Sequence, residues 1–207
     1  MNSIETKKLN EKYESNNPIA KLLVKGFFSH MGNLLDSISF STVYEAGCGD
    51  GYITRYLCNR YPKCEIIASD ISLDELKIAK EMQIKDGKEV VFLERSIYDL
   101  KECDSSYDLV VASEVLEHLD EPKKAVEELA RITNTYVLVS VPREPIWCIC
   151  NMMRGKYLRT FGNTPGHLRH WSKRKFIRFL SDYFVVYAVK TPFPWTMVLC
   201  KKQNPSK

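Results

Sequence analysis

The chain has 207 residues, of which 44% are hydrophobic and 27% are charged, with a formal net charge of +4. The length fits one domain, and the apolar content excludes wholesale disorder because it is sufficient for a sizeable core. The mild positive charge is compatible with an anionic substrate or an acidic membrane surface, but it is too small to indicate a nucleic-acid-binding protein.

Neither a leader nor a membrane-spanning segment is predicted. Residues 1–10 are polar, and the charge-free apolar run Ile146–Met153 is far shorter than the ~18 residues of a membrane span. The seven cysteines are odd in number and lack the paired spacing of zinc sites. We interpret them as reduced thiols and expect a cytoplasmic protein.

Strand and helix patterns alternate along the chain. The apolar spacing predicts an amphipathic helix over 19–38, with Pro18 in its first turn, and Ser72 with Glu75 forms a capping box. Strands are predicted at 42–46, 65–69, 90–93, 108–112 and 136–141, and further helices at 52–61, 72–85 and 122–132. This repetition predicts a parallel sheet with helices on both faces.

The last third of the chain differs in character. Residues 142–171 hold three prolines and three glycines among aromatic and basic side chains, which indicates a long, partly helical insertion of functional type. Ser172 then caps a helix to residue 181, and strands are predicted at 184–189 and 195–200. Because a short link joins these two strands, they must be antiparallel.

A glycine-rich turn, E-A-G-C-G-D-G from Glu45 to Gly51, follows the first strand and opens a helix. Glycines at this place let the backbone approach a ligand closely. Their spacing is GxGxG and differs from the GxGxxG of dinucleotide binders. Asp70 ends the next strand, where a carboxylate can bind both hydroxyls of a ribose.

The segment Y-D-L-V-V-A-S-E-V-L-E-H-L, residues 107–119, completes the pattern. Together with E-x-G-C-G-x-G and Asp70, it resembles the class I S-adenosylmethionine-dependent methyltransferases of the "methyltransferase type 11" group. The resemblance covers roughly residues 12–141 and continues more loosely through 162–167 and the closing strands. It implies S-adenosyl-L-methionine as the cofactor, with S-adenosyl-L-homocysteine as its product.

The same resemblance implies a Rossmann-like three-layer α/β sandwich around a seven-stranded, mostly parallel sheet. Its strand order would be 3-2-1-4-5-7-6, with the seventh strand antiparallel, which agrees with the pattern of the last third. Residues 1–207 would form a single domain, with an N-terminal helical lid at 1–40 and a substrate-side insertion at 142–171.

The resemblance also implies roles for individual residues. Gly47 and Gly49 would pack beneath the amino-acid moiety of the cofactor, Glu45 would reach its ammonium group, Asp70 would hold the ribose hydroxyls, and Ile71 would pack on the adenine. Near the adenine amine, Ser96 replaces the aspartate of many relatives, so that contact is weaker or comes from the Ile97 backbone. The predicted cofactor-binding residues are Tyr13, Glu45, Gly47, Cys48, Gly49, Asp70, Ile71, Ser96, Ile97, Ser113 and Glu114.

Methyl transfer requires alignment of the acceptor in line with the carbon–sulfur bond, and positioning contributes ~7–11 kcal/mol at best. An oxygen or nitrogen acceptor can also require a base, which contributes about 100–10,000-fold. Candidate catalytic residues are His118, His167 and Glu114, with Tyr13 a further candidate base; Glu117 is either functional or a solvated helix charge. His167 and His170 are spaced to share a metal, but no third ligand is nearby, so we predict no metal site.

The insertion interleaves apolar and basic side chains, among them Trp147, Met153, Arg159 and Phe161. This pattern suggests a small-molecule or lipid-like, amphiphilic acceptor and possible peripheral contact with a membrane. The alternative is that the apolar residues form a small core of the insertion itself. No nucleic-acid partner is expected, and the oligomeric state is not predicted.

Two other functions are compatible with parts of the sequence. An NAD(P)-binding oxidoreductase would also use a ribose-binding acid such as Asp70, but the glycine spacing and the E-V-L-E-H-L segment argue against it. A non-catalytic, cofactor-binding partner protein is the third hypothesis. The presence of Glu45, Gly47 and Gly49 together with Asp70 argues against a degenerate pocket.

Overall fold

The computed structural model describes residues 17–85, 89–153 and 157–203. Its α-helices are α1 (Pro18–Leu35), α2 (Tyr52–Arg60), α3 (Leu73–Lys85), α4 (Pro122–Ile132), α5 (Ile146–Met153) and α6 (Lys173–Ser181). Its strands are β1 (Thr42–Ala46), β2 (Glu65–Asp70), β3 (Val91–Glu94), β4 (Tyr107–Ser113), β5 (Thr133–Pro142), β6 (Phe184–Lys190) and β7 (Trp195–Lys202). Short 3₁₀ turns lie at Leu116–His118 and Leu158–Thr160.

The strands form one sheet of order β3-β2-β1-β4-β5-β7-β6, as predicted. Pairs from β3 through β5 are parallel, whereas β7 runs antiparallel to both β5 and β6. The carboxyl ends of β1, β2 and β4 therefore meet at one edge of the sheet, which is where ligands bind in open α/β folds.

The two faces of the sheet are both covered, which confirms the three-layer sandwich. Alternate residues of a strand point to opposite faces. Tyr44 packs in a cluster with the apolar stripes of α4 and α6, and its neighbour Val43 packs in a second cluster with α1 and α2. In β4, Val110 likewise packs in the first cluster and its neighbour Leu109 packs in the second. A smaller cluster unites Leu76 of α3 with the end of β2.

Helix α1 begins as predicted and ends earlier. The Asn17 side chain accepts the Ile19 N–H at 2.9 Å, and Pro18 occupies the first turn. The helix ends at Leu35, three residues before the predicted limit, because the Ser37 hydroxyl donates to the Leu34 carbonyl at 2.7 Å and the chain turns there. Within the described ranges, no helix is both long and apolar enough to cross a membrane.

Candidate active site

The turn between β1 and α2 is open to a ligand on one side. Gly47 and Gly49 have φ angles of 74° and 53°, a region that glycine adopts readily and other residues rarely. A Cβ atom on Gly47 would lie 2.5 Å from a methyl of Val115, whereas one on Gly49 would meet nothing within 4 Å. The backbone at Gly49 thus borders open space, and a side chain at this position would project into that space.

Asp70, at the end of β2, faces this turn. One carboxylate oxygen accepts the Gly49 N–H at 2.9 Å, and the other accepts the Ser72 N–H at 2.8 Å. Each carboxylate oxygen has two lone pairs, so both can still accept a hydroxyl. The adjacent Ile71 side chain is 67% exposed and offers an apolar surface next to the carboxylate. The Ser72 hydroxyl accepts the Glu75 N–H at 3.4 Å, which confirms Ser72 as the N-cap of α3.

Glu45 lies inside the same edge with 2% of its surface exposed. Burial raises the pKa of its carboxyl to about 8; the hydrogen bond from the Thr54 hydroxyl, 2.5 Å away, opposes this, and the charges of Asp70 and Asp50 add to it. The carboxyl is therefore mostly protonated at neutral pH. A cation placed beside it would restore the charged form, because opposite charge stabilises a buried carboxylate.

Cys48 lies between the two glycines and is buried. Its thiol contacts the Gly49 carbonyl at 3.7 Å. Burial, followed by the nearby carboxylates of Glu45 and Asp70, raises the pKa of the thiol far above its usual range. The side chain is consequently a neutral lining group, not a thiolate nucleophile.

Ser96 and Ile97 follow β3 at this edge of the sheet. The Ser96 hydroxyl accepts the Tyr98 N–H at 3.3 Å in a local turn, and Ile97 packs against the core. Predicted contacts of these two residues with a cofactor stay predictions. Tyr13 and the first part of the predicted lid lie outside the described residues.

Polar side chains form a hydrogen-bond network at the end of β4. The Ser113 and Ser140 hydroxyls are 2.5 Å apart, and the Ser140 hydroxyl donates to Glu114 at 3.3 Å. The indole of Trp195 donates to the other carboxylate oxygen of Glu114 at 2.7 Å. Glu114 has a φ of 60°, and such strain in a residue other than glycine is concentrated at functional sites. The two donors orient this carboxylate.

Two of the candidate catalytic residues, His118 and His167, come together with Glu117. The two rings meet edge to face with their centroids 5.0 Å apart, and the ligand atoms of all three side chains lie within 4.8 Å of one another. Glu117 is 1% exposed, so the interpretation of a solvated helix charge is wrong. His170 lies apart, beside Glu144, and does not share a site with His167.

The insertion combines a small packed region with an exposed apolar surface. Trp147 packs on Trp195 with ring centroids 5.9 Å apart, and the buried Asn151 donates to the Gly162 carbonyl at 2.9 Å. Met153 and Phe161, by contrast, are 83% and 82% exposed. The alternative of an internal core therefore describes only part of the segment.

Three contributors to this site were not singled out as site residues by sequence reasoning. Thr54 binds Glu45, Ser140 binds Glu114, and Trp195 binds Glu114 from β7. The sequence indicates only that Trp195 begins the last predicted strand. Nothing in the sequence around Thr54 or Ser140 distinguishes them from other core-facing hydroxyl residues.

Comparison with known proteins agrees with this geometry. Residues 44–136 match a family described as a methyltransferase domain. Over 95 residues the chain is 33% identical to a malonyl-[acyl-carrier protein] O-methyltransferase of Anoxybacillus flavithermus. This match covers 45% of this chain and 35% of that protein. Over 108 residues it is 26% identical to a ubiquinone biosynthesis O-methyltransferase of Nitrosomonas europaea, covering 52% and 45%. The chain thus spans less than half of these two relatives.

Among solved structures, magnesium protoporphyrin IX methyltransferase from Synechocystis PCC 6803 with bound SAH superposes with a TM-score of 0.73. The superposition covers 98% of this chain and 96% of that chain, at 17% sequence identity. This likeness establishes the shared fold.

Proposed function

We propose that this chain is a class I S-adenosylmethionine-dependent methyltransferase that binds S-adenosyl-L-methionine at the edge formed by β1, β2 and β4 and transfers the methyl group to a small-molecule or lipid-like acceptor. The observation that carries this proposal is the open backbone at Gly49 beside the two carboxyl groups of Asp70 and Glu45.

The residues fit the cofactor part by part. The open turn at Gly49 accommodates the methionine moiety, and the buried Glu45 offers a partner for its ammonium group. Asp70 has lone pairs for two ribose hydroxyls in addition to the two N–H groups that it already accepts. Ile71 supplies an exposed apolar surface for the adenine. When bound, the cofactor supplies a methyl group that is already electrophilic.

The chain's own contribution is alignment and exclusion of water. Glu114, oriented by Ser140 and Trp195, lies at the end of β4 between the cofactor edge and the insertion. His167 is connected to Glu114 through two tryptophans, because Trp147 stacks on His167 and packs on Trp195, so we place the acceptor nucleophile near His118 and His167. Such positioning is the largest contribution available to this chemistry.

An amphiphilic acceptor is favoured by the insertion. Met153 and Phe161 present exposed apolar side chains, and the exposed Arg159 lies beside them in sequence and can hold an anionic group. The printed names of the two relatives refer to an acyl-carrier-bound malonyl group and to ubiquinone biosynthesis, which are compatible with this acceptor class.

The cofactor is tested by calorimetric titration with S-adenosylmethionine, S-adenosylhomocysteine and NADH. We expect micromolar binding of the first two and none of NADH. Asp70→Ala should weaken binding by more than tenfold, since charge-assisted hydrogen bonds contribute about 1.5–3 kcal/mol each. Asp74→Ala, which removes an exposed carboxylate on α3, is the matched control.

Binding of NADH alone would establish the oxidoreductase alternative. Binding of none of the three would favour the non-catalytic alternative. Full affinity of a folded Asp70→Ala variant would refute the assignment of the ribose site.

The acceptor class is tested by methyl transfer to a prenylated catechol and to the same catechol without its chain. We expect at least a tenfold loss of kcat/KM on removing the chain, and a further loss for Phe161→Ser with the prenylated compound. Val185→Ser, which removes another exposed apolar side chain, on β6, should change neither value. Equal turnover of both catechols would refute an amphiphilic acceptor.

A further inference from the structure

We propose that Glu117, His118 and His167 bind a divalent transition-metal ion beside the cofactor edge. The three side chains each offer one ligand atom, and these atoms lie within 4.8 Å of one another. Two imidazoles and one carboxylate form a ligand set that suits zinc, iron and related ions and that leaves a coordination position open. The sequence predicted no metal site, because it paired His167 with His170, whereas the fold brings His167 to Glu117 and His118.

The ring of His118 is oriented for coordination. Its Nδ1 lies 3.0 Å from the Gly166 carbonyl oxygen. A carbonyl oxygen can only accept, so Nδ1 carries the proton and Nε2 presents its lone pair. A histidine that donates one ring N–H to a backbone carbonyl while the other nitrogen binds the ion is the usual arrangement around protein-bound metals.

The ring of His167 is held from two sides. One face is stacked near Trp147, with an interplanar angle of 28° and centroids 6.1 Å apart, and its edge meets His118. Trp147 is itself anchored, because its indole N–H donates to the Thr164 hydroxyl at 2.9 Å. These contacts hold the imidazole between Trp147 and His118.

Glu117 ties the two parts of the site together. Its backbone carbonyl accepts the N–H groups of Leu168 and Arg169 at 2.8 and 3.0 Å, which clamps the loop carrying His167 onto the turn that carries Glu117 and His118. The Glu117 side chain is almost fully buried. A divalent cation bound here would balance the charge of that carboxylate at the place where desolvation makes charge most costly.

To coordinate an ion, the three ligand atoms must move slightly closer to one another. Bonds from zinc to nitrogen or oxygen are about 2.0–2.2 Å long, so ligand atoms around a tetrahedral ion lie roughly 3.4 Å apart. Three atoms within 4.8 Å reach that spacing by rotation of side chains whose backbones are already fixed.

The open position gives the ion a role, and this step rests on the proposed methyl transfer. An acceptor hydroxyl bound there would lose its proton to water, because a divalent ion lowers the pKa of a bound oxygen. The oxygen would then form its bond to the methyl carbon as the carbon–sulfur bond breaks, and the sulfonium charge would be cancelled. The two histidines would thus act as metal ligands in place of a general base.

Glu144, Cys148 and His170 form a second group of possible ligands and are the alternative metal site. There the Glu144 carboxylate already accepts the Cys148 N–H at 3.2 Å and faces His170 at 3.4 Å. This group contains one imidazole and a thiol, whereas the site at Glu117 contains two imidazoles, and His170→Ala distinguishes the two in the titration below.

The test is a titration of the chelator-treated, desalted full-length chain with Co²⁺, followed by its visible absorption, and then by displacement with Zn²⁺. We expect one equivalent to bind with the absorption of a nitrogen- and oxygen-ligated ion. His118→Ala, His167→Ala and Glu117→Gln should each weaken binding at least tenfold. His30→Ala is the matched control, because the His30 ring also contacts a backbone carbonyl, that of Gly26, but lies on α1.

Titration with S-adenosylmethionine separates the possible failures. Variants that bind the cofactor normally are folded, so a loss of Co²⁺ binding in them is specific to the site. Unchanged Co²⁺ affinity in the three variants, or loss in His170→Ala instead, would overturn the proposed site. Unchanged methyl transfer after chelation would overturn the role in activating the acceptor, whatever the cofactor titration shows.

Discussion

Glu45 should release a proton when the cofactor binds. Its carboxyl has a pKa of about 8 in the free protein, raised chiefly by burial, so at pH 7 about nine carboxyls in ten carry a proton. The ammonium group of S-adenosylmethionine beside it would favour the charged form. We therefore expect most of one proton to be released per cofactor at pH 7, and affinity that rises with pH below about 8, by at most about tenfold per pH unit.

Calorimetric titration in two buffers of different ionisation enthalpy measures this release directly. Glu45→Gln keeps the shape and an acceptor for the Thr54 hydroxyl but cannot ionise, so its affinity should be lower at pH 7 and nearly independent of pH. Glu65→Gln, at the exposed opposite end of β2, should behave as the unmodified chain. Equal proton release by Glu45→Gln, or none by the unmodified chain, would refute the assignment of Glu45 to the ammonium group.

Three further substitutions test the stability of the fold that positions the site. Gly47→Ala should lower the free energy of unfolding in urea by about 1–3 kcal/mol, because its Cβ would lie 2.5 Å from Val115 at a φ of 74°. Gly26→Ala, in the interior of α1 with nothing within 4 Å, should raise it by about 0.5–1 kcal/mol. Hydrogen bonds from Ser41 hold the pKa of Asp108 at about 2. The ionised Asp108 carboxylate therefore stabilises the fold above about pH 4, and this stabilisation is lost as the pH falls toward 2. In acid denaturation, Asp108→Asn should abolish this loss of about 1–2 kcal/mol in the free energy of unfolding. A pH profile unchanged by Asp108→Asn, or an unfolding free energy unchanged by Gly47→Ala, would contradict these expectations.

The order and type of the elements were predictable because their signals are local. Signals such as Pro18 in a first turn, the Ser72 cap and apolar stripes of helical period act within a few residues of the positions they define. The strand order 3-2-1-4-5-7-6 was inferred from resemblance to a family and is confirmed. The boundary at the end of α1 was wrong because Ile38 continues the apolar pattern, and packs on the core, beyond the point where Ser37 turns the chain.

The arrangement around His167 was not predictable from spacing. Residues three apart share a face only in a helix, and the segment from His167 to His170 is not helical and is hydrogen-bonded to the turn at Glu117. Two successive N–H groups of that segment donate to one carbonyl, which directs His167 and His170 to different neighbours. The burial of Glu117 likewise depends on a loop that is about fifty residues away in sequence, as the 48-residue separation of His118 from Gly166 shows.

Trp195 connects the parts of the molecule that such chemistry must align. Its indole N–H orients Glu114 on the cofactor side, while its ring packs on Trp147 of the insertion and on Phe27 of α1, 5.2 Å between centroids. In-line methyl transfer is sensitive to displacements of about 1 Å. In the proposed site, the glycine turn and Asp70 would specify which cofactor binds, whereas the distance from that cofactor to an acceptor would depend on tertiary contacts of Trp195 from β7. Acceptor choice in this fold can change through the insertion and its contact with Trp195 without any change in the motif that identifies the family.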